Sequence, residues 1–363
     1  MKLPKSLLFY FLFGSGLQQA IGQQNVFDVQ AMQSDPKTYS AIKIKNPITI
    51  DGRAAEIDWQ KAEWSSDFVD ITHADDLMPT LQTRVKMLWD DQHLYLYAEM
   101  QEPHIWADIV QHDAIIYHNN DFEVFIKPSS QQEIYYELEV NPLNTILDLA
   151  MTKPYRYNGE ALIHWDLKGL KSAVHHQGTL NNPNDTDQYW SVEMAIPFQS
   201  ILAFGKGKKP VANSQWQINF SRVQWQHSVE NGIYQRKKLH NKLLEEHNWV
   251  WSPIGIINMH YPERWGYVQF VESPTSSITL PKAYSIQKLI WNVHYLQQLH
   301  FNTNKKYASK LKDLAGYDQF LALAIKEYDV EIWTNKLFDA YQMTAINKET
   351  KEKLSIDHRG NTY

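Results

Sequence analysis

The sequence predicts an all-β fold: an antiparallel β-sandwich of jelly-roll or immunoglobulin-like type, followed by a small C-terminal α+β extension. Three observations predict it. Between residues 41 and 273, apolar residues recur with period two in one short segment after another, the spacing of strands that turn one face to a core. Polar turns separate those segments at short intervals, and helical spacing is scarce among them. Beyond residue 280 the period changes, with Ile286, Leu289, Ile290, Val293 and Leu296 at helical spacing.

The chain opens with Lys2 and Lys5, then the apolar run Leu7 to Phe13, then small residues at Ala20 and Gly22. This order reads as a secretory signal peptide over residues 1–22, placing the mature protein outside the cell or in the periplasm. The apolar run is too short to span a bilayer, and no other stretch is apolar enough. Residues 23–40 form an N-terminal lead-in of mixed polarity. Ala41 to Ile50 reads as the first strand, and IDGRAAEIDWQKAEW then gives a turn at Asp51-Gly52 and one short helical turn. Val85, Met87 and Trp89 face Leu94, Leu96, Ala98 and Met100 in a hairpin. Trp190, Val192, Met194 and Ile196 alternate inward. Trp216 to Trp225 alternates with a phase change near Ser221-Arg222, read as a bulge that re-aims Arg222. Ser273 to Ser277 reads as a linker. Residues 280–363 form a helix-plus-hairpin domain, with strand-like runs at Leu321–Ile325, Val330–Trp333, Ala340–Ile346 and Lys353–Ile356.

Composition narrows the function classes. The 363 residues carry a net charge of −6 without a basic run, which argues against nucleic acid as a partner. Loss of Lys2 and Lys5 with the leader would take the mature charge to −8. Cysteine is absent, which excludes disulfides, a thiolate nucleophile, a cysteine metal site and a lipid-modified N-terminal cysteine. The 13 Trp and 20 Tyr bring flat apolar faces with polar edges, suited to sandwich cores and to sugar or protein surfaces alike.

The stretch Asp113 to Ala150 organises the rest. Phe122, Val124 and Ile126 alternate with Asp121, Glu123 and Phe125. Ile134, Tyr136, Leu138 and Val140 alternate with Tyr135, Glu137, Glu139 and Asn141. With Ile126 opposite Ile134, Glu123 would face Glu137 and Asp121 would face Glu139. Like charges directly opposite are destabilising, so this face requires a cation, hydrogen-bond donors or open water. It is either a solvated outer surface, its repulsion screened by salt, or a polar binding floor.

The segments IDGRAAEIDWQKAEW, VKMLWDDQHLYLYAEMQEPHIWA, DAIIYHNNDFEVFIKP, YYELEVNPLNTILDL, WSVEMAIPF, WQINFSRVQW and NWVWSPIGIINMHYPERWGYVQF follow one another across most of residues 46–270. Together they resemble carbohydrate-binding module family 9, in the form of stand-alone secreted bacterial proteins. The resemblance implies a β-sandwich that grips the end of an oligosaccharide or polysaccharide in carbohydrate catabolism. It also implies two tryptophans that sandwich the terminal sugar, neither of which is a tryptophan in this sequence, with polar contacts to hydroxyls and calcium that stabilises the fold. Carried over by motif, the stacking positions fall at Tyr117 and Met259, with His260 beside the second. The acid of DFEVF falls on Glu123, and a sugar-contacting arginine of the family is replaced by Glu139. Trp106, Trp249 or Trp251 would supply a substitute platform. Most of the tryptophans are expected in the core, with Trp106, after Pro103 and His104, the best exposed candidate.

The candidate carbohydrate-binding residues are therefore Trp106, Tyr117, Asn120, Glu123, Glu139, Asn141, Arg222, Trp251, Met259 and His260, aromatics to stack and polar groups to take hydroxyls. Calcium would use Asp121 with Glu137, or the Asp75-Asp76 loop. His104, His112 and His118 lack zinc-site spacing. Two other classes compete. A glycoside hydrolase would pair Glu123 with Glu137 or Glu139, about 5–5.5 Å apart for retention or about 6.5–9.5 Å for inversion. A secreted protein-interaction scaffold would dock a protein partner through the C-terminal domain.

Overall fold

The computed structural model describes residues 28–74, 77–130, 132–274 and 278–363. The leader of residues 1–22, the Asp75-Asp76 pair and the last three linker residues, 275–277, lie outside the described residues.

In chain order the sandwich contains β1 (Thr38–Lys43), α1 (Ile57–Lys61), β2 (Val69–Asp70), β3 (Thr83–Trp89), β4 (His93–Gln101), β5 (Asp121–Lys127), β6 (Tyr135–Val140), β7 (Ile146–Met151) and β8 (Ala161–Leu162). It continues with β9 (Lys171–Gln177), β10 (Tyr189–Pro197), α2 (Phe198–Ile201), β11 (Gln215–Gln224), β12 (His227–Glu230), β13 (Ile233–Arg236), β14 (Lys238–Leu239), β15 (Lys242–Leu243), β16 (His247–Val250) and β17 (Gly266–Val271). The C-terminal unit is α3 (Tyr284–Asn304), β18 (Tyr328–Thr334), β19 (Tyr341–Asn347) and β20 (Lys353–Asp357).

Among the described residues thirteen strands join into one curled sheet, in the order β8-β7-β6-β5-β11-β17-β1-β3-β4-β10-β9, with β16 paired to β11 and β2 paired to β16. Pairing is antiparallel except at β1, which runs parallel to both β17 and β3 and joins the two halves. The alternation read from the sequence places the inner faces as expected: Leu94, Leu96, Ala98 and Met100 of β4 lie opposite Ile196, Met194, Val192 and Trp190 of β10. With Trp89, Phe122, Val124, Leu138, Ile218, Phe220 and Phe270 they fill the sandwich core. Each such side chain contributes about 1.5–3 kcal/mol by leaving water.

The IDGRAAEIDW segment is tied down by a buried carboxylate. Glu193 of β10 accepts hydrogen bonds from the Asp51 and Gly52 amides (2.8 and 3.0 Å) and from Trp59 Nε1 (2.8 Å). Gly52 has φ +86°, and a Cβ there would stand 2.8 Å from the backbone of Val174 and His175. Left-handed backbone and close approach both require glycine.

Several expectations are corrected. The first strand covers residues 38–43 rather than 41–50, because Asn46-Pro47 cannot continue a ladder. The β5–β6 register is two residues from the one expected: Glu123 faces Glu139, Phe125 faces Glu137 and Ile126 faces Tyr136. The connection takes up Pro128 to Ile134, so Ile134 packs on the core from outside the strand. A slip of two keeps every side chain on its expected face. No bulge occurs at Ser221-Arg222, since β11 pairs with β5 without interruption from Gln217 to Val223. The apparent phase change arises because Arg222 occupies a core-facing position. Leu321–Ile325 lies in short helical turns, and the C-terminal strands form a three-stranded meander rather than one hairpin.

The C-terminal unit is packed on the sandwich. Ile286, Leu289, Ile290 and Val293 of α3 share one buried cluster with Phe125, Tyr135, Leu147, Leu149, Met259 and Trp265. The apolar middle of the outer face of β5, β6 and β7, at Phe125, Tyr135, Leu147 and Leu149, is therefore covered rather than solvated. Outward positions along β5 read Asp121, Glu123, Phe125 and Lys127, so the face passes from acidic through aromatic to cationic.

Candidate functional site

The acidic end of this face is built by period two alone. Asp121 and Glu123 point outward from β5, and Glu137 and Glu139 point the same way from β6. Ligand oxygens of Asp121, Glu123 and Glu139 lie within 4.8 Å of one another, and all three residues are buried. Glu137, expected to pair with Asp121 in holding a metal, is outside that triad and lies between Phe125 and Leu149 of the flanking strands.

Asp121 accepts a hydrogen bond from the Val223 amide at 3.3 Å, while its other carboxylate oxygen is buried without a partner. The buried Ser221 hydroxyl, on the strand position facing Glu123, interacts with that carboxyl and holds it down against the effect of burial. Glu139 accepts from the Tyr117 amide at 3.0 Å. Burial pushes all four acids up: Glu123 to about 7, and Asp121, Glu137 and Glu139 well above the usual carboxylate range, with Glu123 as the next cause in each of those three. Packed carboxylates of this kind either share protons or hold a cation. Three converging carboxylates, one of them with an oxygen that has no partner, form a hard-oxygen donor set, which fits calcium.

Aromatic rings flank the acids. Tyr117 is 39% exposed, and its carbonyl is held by Trp225 Nε1 at 2.7 Å. On the other side, the Tyr155 ring meets His260 edge-on at 4.7 Å. Burial, then Glu137 and Glu139, raise the phenol pKa of Tyr155. His260 is hydrogen-bonded through Nδ1 to the Tyr135 hydroxyl at 2.8 Å, and burial, then Arg156, lowers it to about 3. The sequence reading missed Tyr155; its only signal was a tyrosine-rich turn, PYRY, directly after β7.

The other expected site residues are structural. Trp106 is 3% exposed instead of solvent-facing, stacked on Tyr234 at 6.3 Å beneath the β12–β13 hairpin. Trp249 and Trp251 are buried in the sandwich core, and Met259 is buried in the second core, its carbonyl taken by Trp265 Nε1. Asn120 bonds Glu102 and the Trp225 amide, and Asn141 bonds the Ile109 carbonyl. Arg222 is fully buried, with its guanidinium on Glu102 (3.1 Å), Thr83, Gln224 and the Gln101 carbonyl. The structure thus brings Tyr117, Asp121, Glu123, Glu137, Glu139 and His260 to one region, and places Trp106, Asn120, Asn141, Arg222, Trp251 and Met259 in the scaffold around it.

Comparison with known proteins completes the picture. No curated protein matches the sequence. Among solved structures, a Bacteroides uniformis protein provisionally described as carbohydrate-binding is 17% identical, covering 64% of this chain and 99% of that one, with a TM-score of 0.47. A family 9 carbohydrate-binding module from Caldicellulosiruptor kristjanssonii, solved with glucose, is 16% identical over 67% and 100% of the two chains, with a TM-score of 0.41. The same organism's module solved with cellotriose is 15% identical over 68% and 98%, also with a TM-score of 0.41. Residues 50–232, half of the chain, match the family model described as carbohydrate family 9 binding domain-like, and the protein belongs to that family.

Proposed function

We propose that this is a secreted, non-catalytic carbohydrate-binding protein that holds a glycan end at the acidic face of β5 and β6. The observation that carries the reading is the convergence of Asp121, Glu123 and Glu139 on one face, with Tyr117 exposed at its edge, in a chain of this family. The phenol ring of Tyr117 offers a flat surface for the C–H face of a pyranose, and Glu139, which accepts from the Tyr117 amide, is the acid that borders this ring. A calcium ion held by Asp121, Glu123 and Glu139 would neutralise the acids and keep the floor rigid. Secretion rests on the leader-like residues 1–22, and a role in polysaccharide catabolism on the glycan chemistry. The protein partner expected through the C-terminal unit would meet Trp333 and Leu337, which stand exposed there. A glycan array followed by calorimetry tests the reading: it predicts binding of oligosaccharide ends without release of reducing sugar. Silence on a broad array would favour the scaffold, and turnover would favour the hydrolase.

A further inference from the structure

The cationic end of the same sheet face opens into a second feature, a cleft of about 530 Å³ between the sandwich and the C-terminal unit. Six basic side chains line it against three acidic ones, on a protein whose net charge is −6. Half of the cations are already engaged. Arg156 donates from one guanidinium nitrogen to both carboxylate oxygens of Glu263, Arg264 bonds the Ser34 and Ile254 carbonyls, and Lys288 pairs with Asp35. The other three, Lys127, Lys206 and Lys353, form no ion pair within 4.0 Å among the described residues. They come from three separate segments, the end of β5, the loop after α2 and the start of β20.

Lys127 is the informative member. It lines the cleft, half-buried, and burial lowers its pKa more than Glu133 and Glu263 raise it. A desolvated ammonium without a partner is costly, and a bound anion would offset that cost. Beside it the wall carries the Trp291 indole and the Gln287 amide, an aromatic surface and a hydrogen-bonding group of the kind that position a hydroxylated ring. The volume is in the range of small-molecule sites.

We infer that this cleft is a second binding site, for an acidic sugar: a uronic acid or a short uronate-ended oligosaccharide, its carboxylate on Lys127, Lys206 and Lys353 and its ring against Trp291. Glu123 and Lys127 are four residues apart on one strand, about 13 Å, and Phe125, Tyr135 and Trp265 pack between the two ends of the face. The inference stands independently of the acidic-face reading.

Calorimetry with D-galacturonate and D-glucuronate on the full chain tests it, with glucose, acetate and sulfate as controls. Uronates should bind at least about tenfold more tightly than glucose, acetate or sulfate, and about 0.5 M sodium chloride should weaken them strongly. Affinity should fall at least tenfold in Lys127→Met and in the doubly substituted Lys206→Gln/Lys353→Gln protein. Both residues of the double variant are exposed, so it reports on binding even where the Lys127 variant does not fold. Glu123→Gln separates the two sites, and retained uronate affinity there places the ligand in the cleft. Absence of uronate binding, equal affinity for glucose, equal affinity in the double variant, or loss in Glu123→Gln would each overturn the inference.

Discussion

Glu123 and Glu139, both buried, face each other directly across β5 and β6, and no cation forms an ion pair with either among the described residues. Two buried like charges at directly opposed positions cannot both be ionised at low cost. The pair is therefore the point at which protons, a metal or a ligand must act.

The first prediction concerns the metal. Calcium should raise the melting temperature by several degrees at neutral pH, because it binds the folded state and takes the place of the protons the packed acids otherwise retain. Glu139→Gln and Asp121→Asn should each abolish most of that increase. A melting temperature indifferent to calcium and to chelator would remove the ion from the account.

The second concerns the carboxylate that ties the N-terminal segment to β10. Glu193→Ala leaves three N–H donors, those of Asp51, Gly52 and Trp59, without their acceptor. The expected loss is about 3 kcal/mol in urea denaturation. Gly52→Ala should also destabilise, by more than about 1 kcal/mol, because the backbone there is left-handed and the Cβ meets Val174. Losses within experimental error would mean that this motif is dispensable to the fold.

The third separates scaffold from site. Glu102→Ala strands the Arg222 guanidinium among Thr83, Gln224 and Trp249, and should cost about 3–5 kcal/mol. Substituting Glu102→Leu and Arg222→Met together should recover most of this. Equal losses in the single and double variants would show that the pair does not act as a unit.

How far the sequence disclosed all this follows from its physics. Period-two alternation put Asp121, Glu123, Glu137 and Glu139 on one face, and a two-residue slip in register leaves the face unchanged, so the acidic floor was legible while its pairing was not. The seven-residue Pro128–Ile134 connection carries no turn type that would set the register. Arg222 was misread because a buried ion pair at a core position looks, in one dimension, like a strand changing phase. Trp106 was misread because a loop tryptophan is indistinguishable from an exposed one until Tyr234 is folded over it. The cover formed by α3 was not legible, since its apolar stripe does not say which surface it meets.

The fourth prediction follows from that cover. His294 of α3 lies between the hydroxyls of Tyr157 (2.7 Å) and Tyr341 (2.5 Å), and burial, then Arg156, lowers it from an ordinary value of 6.5 to about 3. Its contribution is fully present above pH 6.5 and is lost as pH falls toward 3, reaching about 2 kcal/mol at pH 5. Stability of the protein relative to His294→Gln should therefore shrink by that amount between pH 7.5 and pH 5. A constant difference across the range would show that the imidazole is not held neutral.

The central claim is that the acidic face grips a sugar, and the most direct measurement is titration of the oligosaccharide selected on the array into the native protein, Glu123→Gln and Tyr117→Ala, each first shown to be folded. The account predicts that affinity falls at least about tenfold in both variants. Native affinity in both would contradict it.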